Sequence, residues 1–205
     1  MAKLTEGGDW SWGVSEYPDR SIIQASDGGF VLAGWGSFVK LDRDGGLQWE
    51  KTIYEGGARS VIETNDGNFV FGGISMEDFW IAKVDPTGKT LWEKLYGGSN
   101  SDDGWAIIQT IDGGYALAGS SWSTDGNISS HHGGEWAEDY WIVKVNAEGE
   151  LEWENSLGGT DQDRAFGIAQ TAAGEYAVGG TVMSADQDVS SHLGGCCDYW
   201  LAILK

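Results

Sequence analysis

The chain has 205 residues and a formal net charge of −20, from 32 acidic and 12 basic residues. This balance disfavours nucleic acid as a partner, because phosphate binding needs clustered lysine and arginine. Cations, glycans and basic protein surfaces are better tolerated. The 33 glycines and 12 tryptophans, with only two prolines, are typical of many short strands joined by tight turns.

The N-terminal segment MAKLTEGGDW lacks the apolar region of a signal peptide, and no apolar run approaches the length of a membrane span. We therefore expect a soluble chain with no membrane insertion.

A ten-residue pattern occurs four times, as KLTEGGDWSW, KLDRDGGLQW, KVDPTGKTLW and KVNAEGELEW. In each copy a Gly follows the Lys by five residues and a Trp follows it by nine. The tryptophans are Trp12, Trp49, Trp92 and Trp153. A strand, a Gly-containing turn and a second strand carrying Trp form a β-hairpin.

A second pattern lies between these hairpins and reads SIIQASDGGFVLAG, SVIETNDGNFVFGG, AIIQTIDGGYALAG and GIAQTAAGEYAVGG. Asp-Gly between two apolar runs is a strong hairpin signal. In the last copy Ala173-Gly174 replaces it. Each repeat unit thus contains four short strands, A to D, in that order.

Units of four strands and about 40 to 50 residues are typical of propeller blades. The sequence predicts one all-β domain over 1–205, a small β-propeller with four blades of four antiparallel strands. The units span about 13–53, 54–96, 97–157, and 158–205 together with 1–12. We expect the N-terminal strand to complete the last blade and close the ring. An open piece of a longer array is the alternative.

The pattern GGSNSDDGWAIIQTIDGGYALAGSSWSTDGN, followed by SSHHGG, DYWIVKVNAEGELEW and LGG, resembles the Gly/Asp/Trp-rich propeller repeats of bacterial and archaeal surface or secreted proteins. The resemblance covers essentially the whole chain. It implies a propeller fold and an extracellular or cell-surface location, but it implies no particular activity.

In a propeller the B–C and D–A connections open on one face, where the longest loops of this chain collect. Aromatic rings stack on the C–H faces of sugars and carboxylates accept hydroxyl protons. The predicted ligand-binding residues for a glycan or protein ligand are therefore Trp105, Trp122, Glu135, Trp136 and Glu138. Anchoring of the long loop is the other interpretation of these rings.

Two B–C loops space oxygen donors two residues apart, at Asp125 and Asn127 and at Asp186 and Asp188. A calcium loop opens in this way, and Asp139 or Asp198 is a candidate to complete it. Asx-turns, in which these side chains bond their own backbone, are the alternative. No cofactor is required by the sequence, and calcium is the candidate cation.

A hydrolase of ester, phosphoester or glycosidic bonds is the competing function, with candidate catalytic residues at the channel mouth. These candidates are Glu63, Asp102, His131, Asp163 and His192. Glu63 is singled out because the other units carry Gln at its position. The histidines, with Cys196 and Cys197, are also candidates for a transition metal, although no regular ligand spacing supports one.

Overall fold

The computed structural model describes residues 2–4, 10–13, 20–134, 137–190 and 197–205, the first two ranges by their backbone alone. The described residues form strands and turns only, and all strand pairs are antiparallel, so the fold is all-β as predicted.

The strands follow the predicted order of units. Unit 1 contains β3 (Ser21–Gln24), β4 (Phe30–Ala33), β5 (Trp35–Leu41) and the first part of β6 (Leu47–Glu63). Unit 2 contains the rest of β6, β7 (Phe69–Ser75), β8 (Asp78–Val84) and β9 (Thr90–Tyr96). Unit 3 contains β10 (Asp102–Gln109), β11 (Tyr115–Ser121), β12 (Asp139–Val145) and β13 (Leu151–Leu157). Unit 4 contains β14 (Asp163–Gln170), β15 (Tyr176–Val182) and β16 (Asp198–Leu204).

The four predicted C–D hairpins share one register. The repeated Lys pairs with the repeated Trp in every copy, as Lys3 with Trp12, Lys40 with Trp49, Lys83 with Trp92 and Lys144 with Trp153. The prediction of four equivalent hairpins is confirmed.

Units 1 and 2 are joined differently from the others. The connection between them lies inside β6, a strand of 17 residues, so both units belong to one seven-stranded sheet. The connection YEGGAR is shorter than its counterparts later in the chain, and a single positive φ of 43° at Glu55 accommodates the change of direction. The predicted boundary at residue 53 therefore falls within a strand.

The predicted ring closure is not formed. The N-terminal strand β2 (Trp10–Gly13) pairs with β1 (Ala2–Leu4), and no other described strand is hydrogen-bonded to β16 beyond β15. Because β1–β2 has the register of the other C–D hairpins, β1 already holds the edge of β2 that β16 would need. The local hairpin also closes a much shorter loop, at a lower entropic cost.

Apolar side chains pack between successive units. Phe38 of unit 1 lies 5.8 Å from Trp80 of unit 2, measured between ring centroids. Phe79 of unit 2 lies 4.4 Å from Trp141 of unit 3. The core is thus a series of layers between neighbouring units, and each unit depends on the next for burial.

A buried lysine of strand C pairs with the aspartate of the A–B turn in the first three units. The pairs are Lys40–Asp27 at 2.5 Å, Lys83–Asp66 at 2.7 Å and Lys144–Asp112 at 3.0 Å. In unit 4 Ile203 and Ala173 stand at the two positions, so the lysine and the aspartate are replaced together. The Asp-Gly turn therefore also neutralises a buried ammonium group.

Candidate functional site

Three A strands carry a β-bulge at the same position near their start. The pairing with strand B skips Arg59 in unit 2, Trp105 in unit 3 and Phe166 in unit 4. A bulge bends the strand and re-aims the skipped side chain, and bulges are frequent beside functional sites. The bulges lie at the end of the strands where the B–C and D–A connections meet.

The three bulge residues form a row across three units. The guanidinium carbon of Arg59 lies 3.9 Å from the centroid of the Trp105 ring. The edge of one ring meets the face of the other between Trp105 and Phe166, with centroids 5.2 Å apart. Stacked and edge-to-face contacts of this kind hold rings in defined orientations.

A cleft of about 370 Å³ opens beside this row, between units 3 and 4. It is lined by three aromatic rings, two carboxylates, one arginine and two hydroxyl groups, from Trp105, Trp122, Phe166, Asp103, Glu138, Arg164, Ser101 and Ser120. We call it the aromatic cleft. Its size falls within the range of small-molecule sites.

Ion pairs and hydrogen bonds fix the polar groups of the cleft. Arg59 donates to Asp103 at 2.6 Å, and Arg164 donates to Glu138. The hydroxyl of Ser120 donates to the second oxygen of Glu138 at 2.7 Å. Burial raises the pKa of Asp103, although the charge of Arg59 opposes this effect. The cleft therefore presents held donors and acceptors beside its rings.

Three predicted ligand-binding residues, Trp105, Trp122 and Glu138, come together in the aromatic cleft. Glu135 and Trp136 lie outside the described residues. Arg59, Arg164 and Phe166 also belong to this site, and they were not predicted from the sequence. An alignment of the four A strands places Arg59, Trp105 and Phe166 at one position. This alignment is the sequence signal that could have predicted that the three side chains lie together.

The side-chain oxygens of the two B–C loops that were predicted as calcium ligands accept hydrogen bonds from the backbone of the neighbouring D–A connections. Asp125 Oδ1 accepts from the backbone N–H of Ser99 at 2.7 Å, and Asn127 Oδ1 accepts from that of Gly97 at 3.0 Å. In unit 4 Asp186 accepts from Thr160 N at 2.9 Å, and Asp188 accepts from Gly158 N at 3.3 Å. The same two contacts thus recur in both loops.

The other two candidate calcium ligands, Asp139 and Asp198, are the first residues of strands β12 and β16. Asp139 is fully buried at the start of β12, accepts from His132 N at 2.6 Å, and has a pKa raised by burial. Asp198 begins β16. Within the described ranges, no group of three or more His, Cys, Asp or Glu side chains is arranged to hold a metal ion. Calcium binding stays a prediction.

The candidate catalytic residues lie in separate hydrogen-bond networks. Asp102 and Asp163 are fully buried. Asp102 accepts from Gly98 N at 2.9 Å and from Ser121 and Ser123, and burial raises its pKa. Glu63 accepts from the backbone N–H of Ser26 at 2.7 Å and thereby joins units 1 and 2.

His131 is a buried neighbour of Asp139, with Nδ1 3.4 Å from Oδ2. His192 and Cys196 lie outside the described residues, and Cys197 is exposed. The described candidates therefore do not converge on one catalytic centre.

Glu63 makes the same kind of hydrogen bond as the Gln residues at its position in units 3 and 4. Gln109 accepts from Asn65 N at 2.9 Å, and Gln170 accepts from Ile111 N at 2.8 Å. Each side chain reaches from its own A strand to the A–B turn of the preceding unit. The carboxylate of Glu63 accepts the hydrogen bond that the amide oxygen of Gln accepts at the equivalent positions.

Comparison with solved structures shows a propeller-like fold. A protein of unknown function from Bacteroides caccae superposes with a TM-score of 0.56 at 14% identity, covering 84% of this chain and 58% of that one. The WD40 β-propeller domain of Doa1 superposes with a TM-score of 0.55 at 17% identity, covering 78% of this chain and 46% of that one. This chain thus spans about half the length of both proteins.

Comparison with protein-family models and with curated proteins gives no match. No helix in the described part of the chain has the length and apolar character needed to cross a membrane.

Proposed function

We propose that this chain is a carbohydrate-binding module of propeller-like fold that holds a glycan in the aromatic cleft. The observation that carries the proposal is the combination of Trp105, Trp122 and Phe166 with Asp103, Glu138 and Arg164 in one cleft of about 370 Å³. Rings of this kind stack on the apolar faces of sugar rings, and the charged groups bond the hydroxyls around them.

The ion pairs favour a glycan over a basic protein surface. Asp103 and Glu138 are each paired with an arginine, so the acids at the cleft are locally neutralised. Paired groups still accept and donate hydrogen bonds, as a sugar with alternating hydroxyls requires. A cleft also encloses a small ring better than it fits a flat protein surface.

Rigidity supports the same function. The rings and acids are placed by strands and bulges, and Glu138 is only 3% exposed. A preorganised site loses little conformational entropy when a ligand binds. A glycan ligand, together with the resemblance of the repeats, supports a location at the cell surface or outside the cell.

A glycan microarray tests the proposal. The wild-type chain should bind a defined subset of glycans, and Trp105→Ala and Trp122→Ala should each lose that binding. The matched control is Trp35→Ala, since Trp35 is an exposed tryptophan of unit 1 that does not line the cleft. Binding that survives both cleft substitutions would reject the proposal, as would the absence of any bound glycan.

Incubation of each bound glycan with the protein, followed by chromatography of the products, distinguishes binding from turnover. We expect the glycan to be recovered intact. Cleavage of the glycan that is lost on substitution of Glu138 would show that the protein is a hydrolase and not a binding module.

A further inference from the structure

The charged groups of the aromatic cleft differ in how far solvent reaches them. The side chain of Arg164 is 43% exposed, whereas that of Asp103 is 24% exposed and Glu138 is buried. Phe166, which follows Arg164 by two residues, is 43% exposed as well. The most open charged group of the cleft is therefore a guanidinium, and it lies next to an open aromatic ring.

Both carboxylates of the cleft already have a charged partner. Glu138 accepts from Arg164 through Oε1, and it accepts from the Ser120 hydroxyl through Oε2 at 2.7 Å. Asp103 accepts from Arg59 through Oδ2 at 2.6 Å, and its Oδ1 is buried. A cationic ligand would have to compete with an arginine for each carboxylate, so the acids do not favour a cation.

The guanidinium of Arg164 keeps donors for a ligand. Its Nε donates to Glu138, and its Nη2 donates to Gln162 at 3.4 Å. A guanidinium carries more N–H groups than these two contacts use, and they lie in one plane. Carboxylate and sulfate groups fit such a planar fork, because two of their oxygens accept from it side by side.

Positive charge is concentrated beside the cleft. Three of the four arginines of the chain are Arg20, Arg59 and Arg164, and exposed Arg20 precedes its A strand as Arg59 does in unit 2. Burial lowers the pKa of Arg59, and the charge of Arg20 adds to this effect while Asp103 opposes it. Arg20 is therefore within electrostatic range of the cleft, and these three arginines outnumber its two carboxylates.

The net charge of −20 does not determine which charge the cleft selects. Exposed charges that lie more than a Debye length apart are largely screened, and this length is about 8 Å at physiological ionic strength. The field that acts on a ligand in the cleft is therefore set by the nearest groups, where the arginines are in excess.

An arginine at this position is specific to unit 4. Arg164 follows Asp163, and unit 3 carries Asp103 at the equivalent position after Asp102. Unit 2 carries Gly57 there. The fold of a repeat unit therefore does not require an arginine at this position.

We infer that the aromatic cleft selects an anionic glycan and that Arg164 holds the carboxylate or sulfate of one sugar, an inference that rests on the proposed glycan-binding function. The rings of Trp105, Trp122 and Phe166 then pack on the body of the sugar. Arg164 is thus the residue that determines the charge of the bound glycan.

Paired glycans that differ only in charge test this inference. The first pair is an array-bound oligosaccharide that contains uronic acid and its carboxyl-reduced form. The second pair is a sulfated oligosaccharide and its desulfated form. In titration calorimetry the wild-type chain should bind the anionic member of one pair about tenfold more tightly, because a charge-assisted contact is added. The pair that shows the difference identifies the anion as a carboxylate or a sulfate.

Substitution of Arg164 should remove this difference. In Arg164→Gln the two members of the pair should bind equally. Because this variant leaves the buried Glu138 without its arginine, a double variant, Arg164→Gln with Glu138→Gln, removes both charges together and should also lose the difference. Arg43→Gln is the matched control, since it removes the same charge from an exposed C–D turn and should keep the tenfold difference.

The possible failures are distinguishable. Equal or tighter wild-type binding of the neutral member in both pairs would overturn the selection of an anion but leave glycan binding intact. A tenfold difference that survives in Arg164→Gln and in the double variant would overturn the role of Arg164. Absence of binding to every glycan would reject the glycan-binding function and this inference with it.

Discussion

The guanidinium group of Arg59 lies over the ring of Trp105, with 3.9 Å between the guanidinium carbon and the ring centroid. The same group donates to Asp103 at 2.6 Å. Unit 2 therefore helps to position a ring and a carboxylate of unit 3, and the aromatic cleft depends on three units rather than two.

Replacing Arg59 by Lys should weaken glycan binding about tenfold, because lysine cannot keep both the planar stack and the bond to Asp103. Titration calorimetry with a glycan bound on the array measures the change. Arg43→Lys is the control, since Arg43 is an exposed turn residue. Equal affinity of Arg59→Lys and the wild type would show that the stack does not position the ring.

The buried lysines give a matched pair of stability predictions. Asp66→Ala leaves the ammonium of Lys83 without its carboxylate and should cost about 2 kcal/mol. Asp112→Ala should cost about half as much, because Lys144 keeps its bond to Glu152 at 2.6 Å. Urea unfolding followed by tryptophan fluorescence compares the two variants. The reverse order of stability would contradict the assignment of these ion pairs.

The lowered pKa of Asp112 predicts that the stability of the folded chain depends on pH. The hydrogen bond from Thr110, with the ammonium of Lys144, lowers the pKa of Asp112 from 3.8 to about 2, although partial burial opposes this. A carboxylate with a lowered pKa stabilises the folded state above the unfolded pKa and loses that contribution as the pH falls to the folded value.

The wild type should therefore exceed Asp112→Asn in stability at neutral pH, by less than about 1 kcal/mol because the pair is partly exposed. The difference should vanish between about pH 4 and pH 2. Thermal unfolding of both proteins across this range gives the measurement. A constant difference across the range would contradict the assigned pKa.

Asp163 should be a structural residue. Its two oxygens accept from Met183 N, Ser184 N and Gly159 N, at 3.0, 3.3 and 2.9 Å, and from the Ser184 hydroxyl at 2.8 Å. Asp163→Ala should cost about 3 kcal/mol or more, because several buried donors lose a charged acceptor. Asp161→Ala, an exposed neighbour, should change the stability by less than about 0.5 kcal/mol. A fully stable Asp163→Ala protein would restore Asp163 as a candidate for function.

Much of the fold could be predicted from the sequence because its signals are local and repeated. The spacing of Lys, Gly and Trp and the Asp-Gly turns predicted the hairpins and their common register. The pairing of the N-terminal strand could not be predicted in this way, since β1 and the end of β16 both resemble strand C. The choice between them depends on loop entropy and packing, which the pattern of residues does not contain.

The candidate site was predictable only in part. The clustering of tryptophans and acids in the longest loop indicated Trp122 and Glu138. The contributions of Arg59 and Phe166 depend on bulges, where one skipped residue decides which way a side chain points. The roles of Asp102 and Asp163 were also hidden, because a buried carboxylate that caps backbone groups looks in sequence like a catalytic acid.

The most direct test of the proposed function is a nuclear magnetic resonance titration that follows the indole N–H signals of the tryptophans as an array-selected glycan is added. Signals assigned by substitution to Trp105 and Trp122 should shift with saturation, while that of Trp35 should remain in place. Saturable shifts confined to other tryptophans, or no shift with any glycan, would contradict glycan binding in the aromatic cleft.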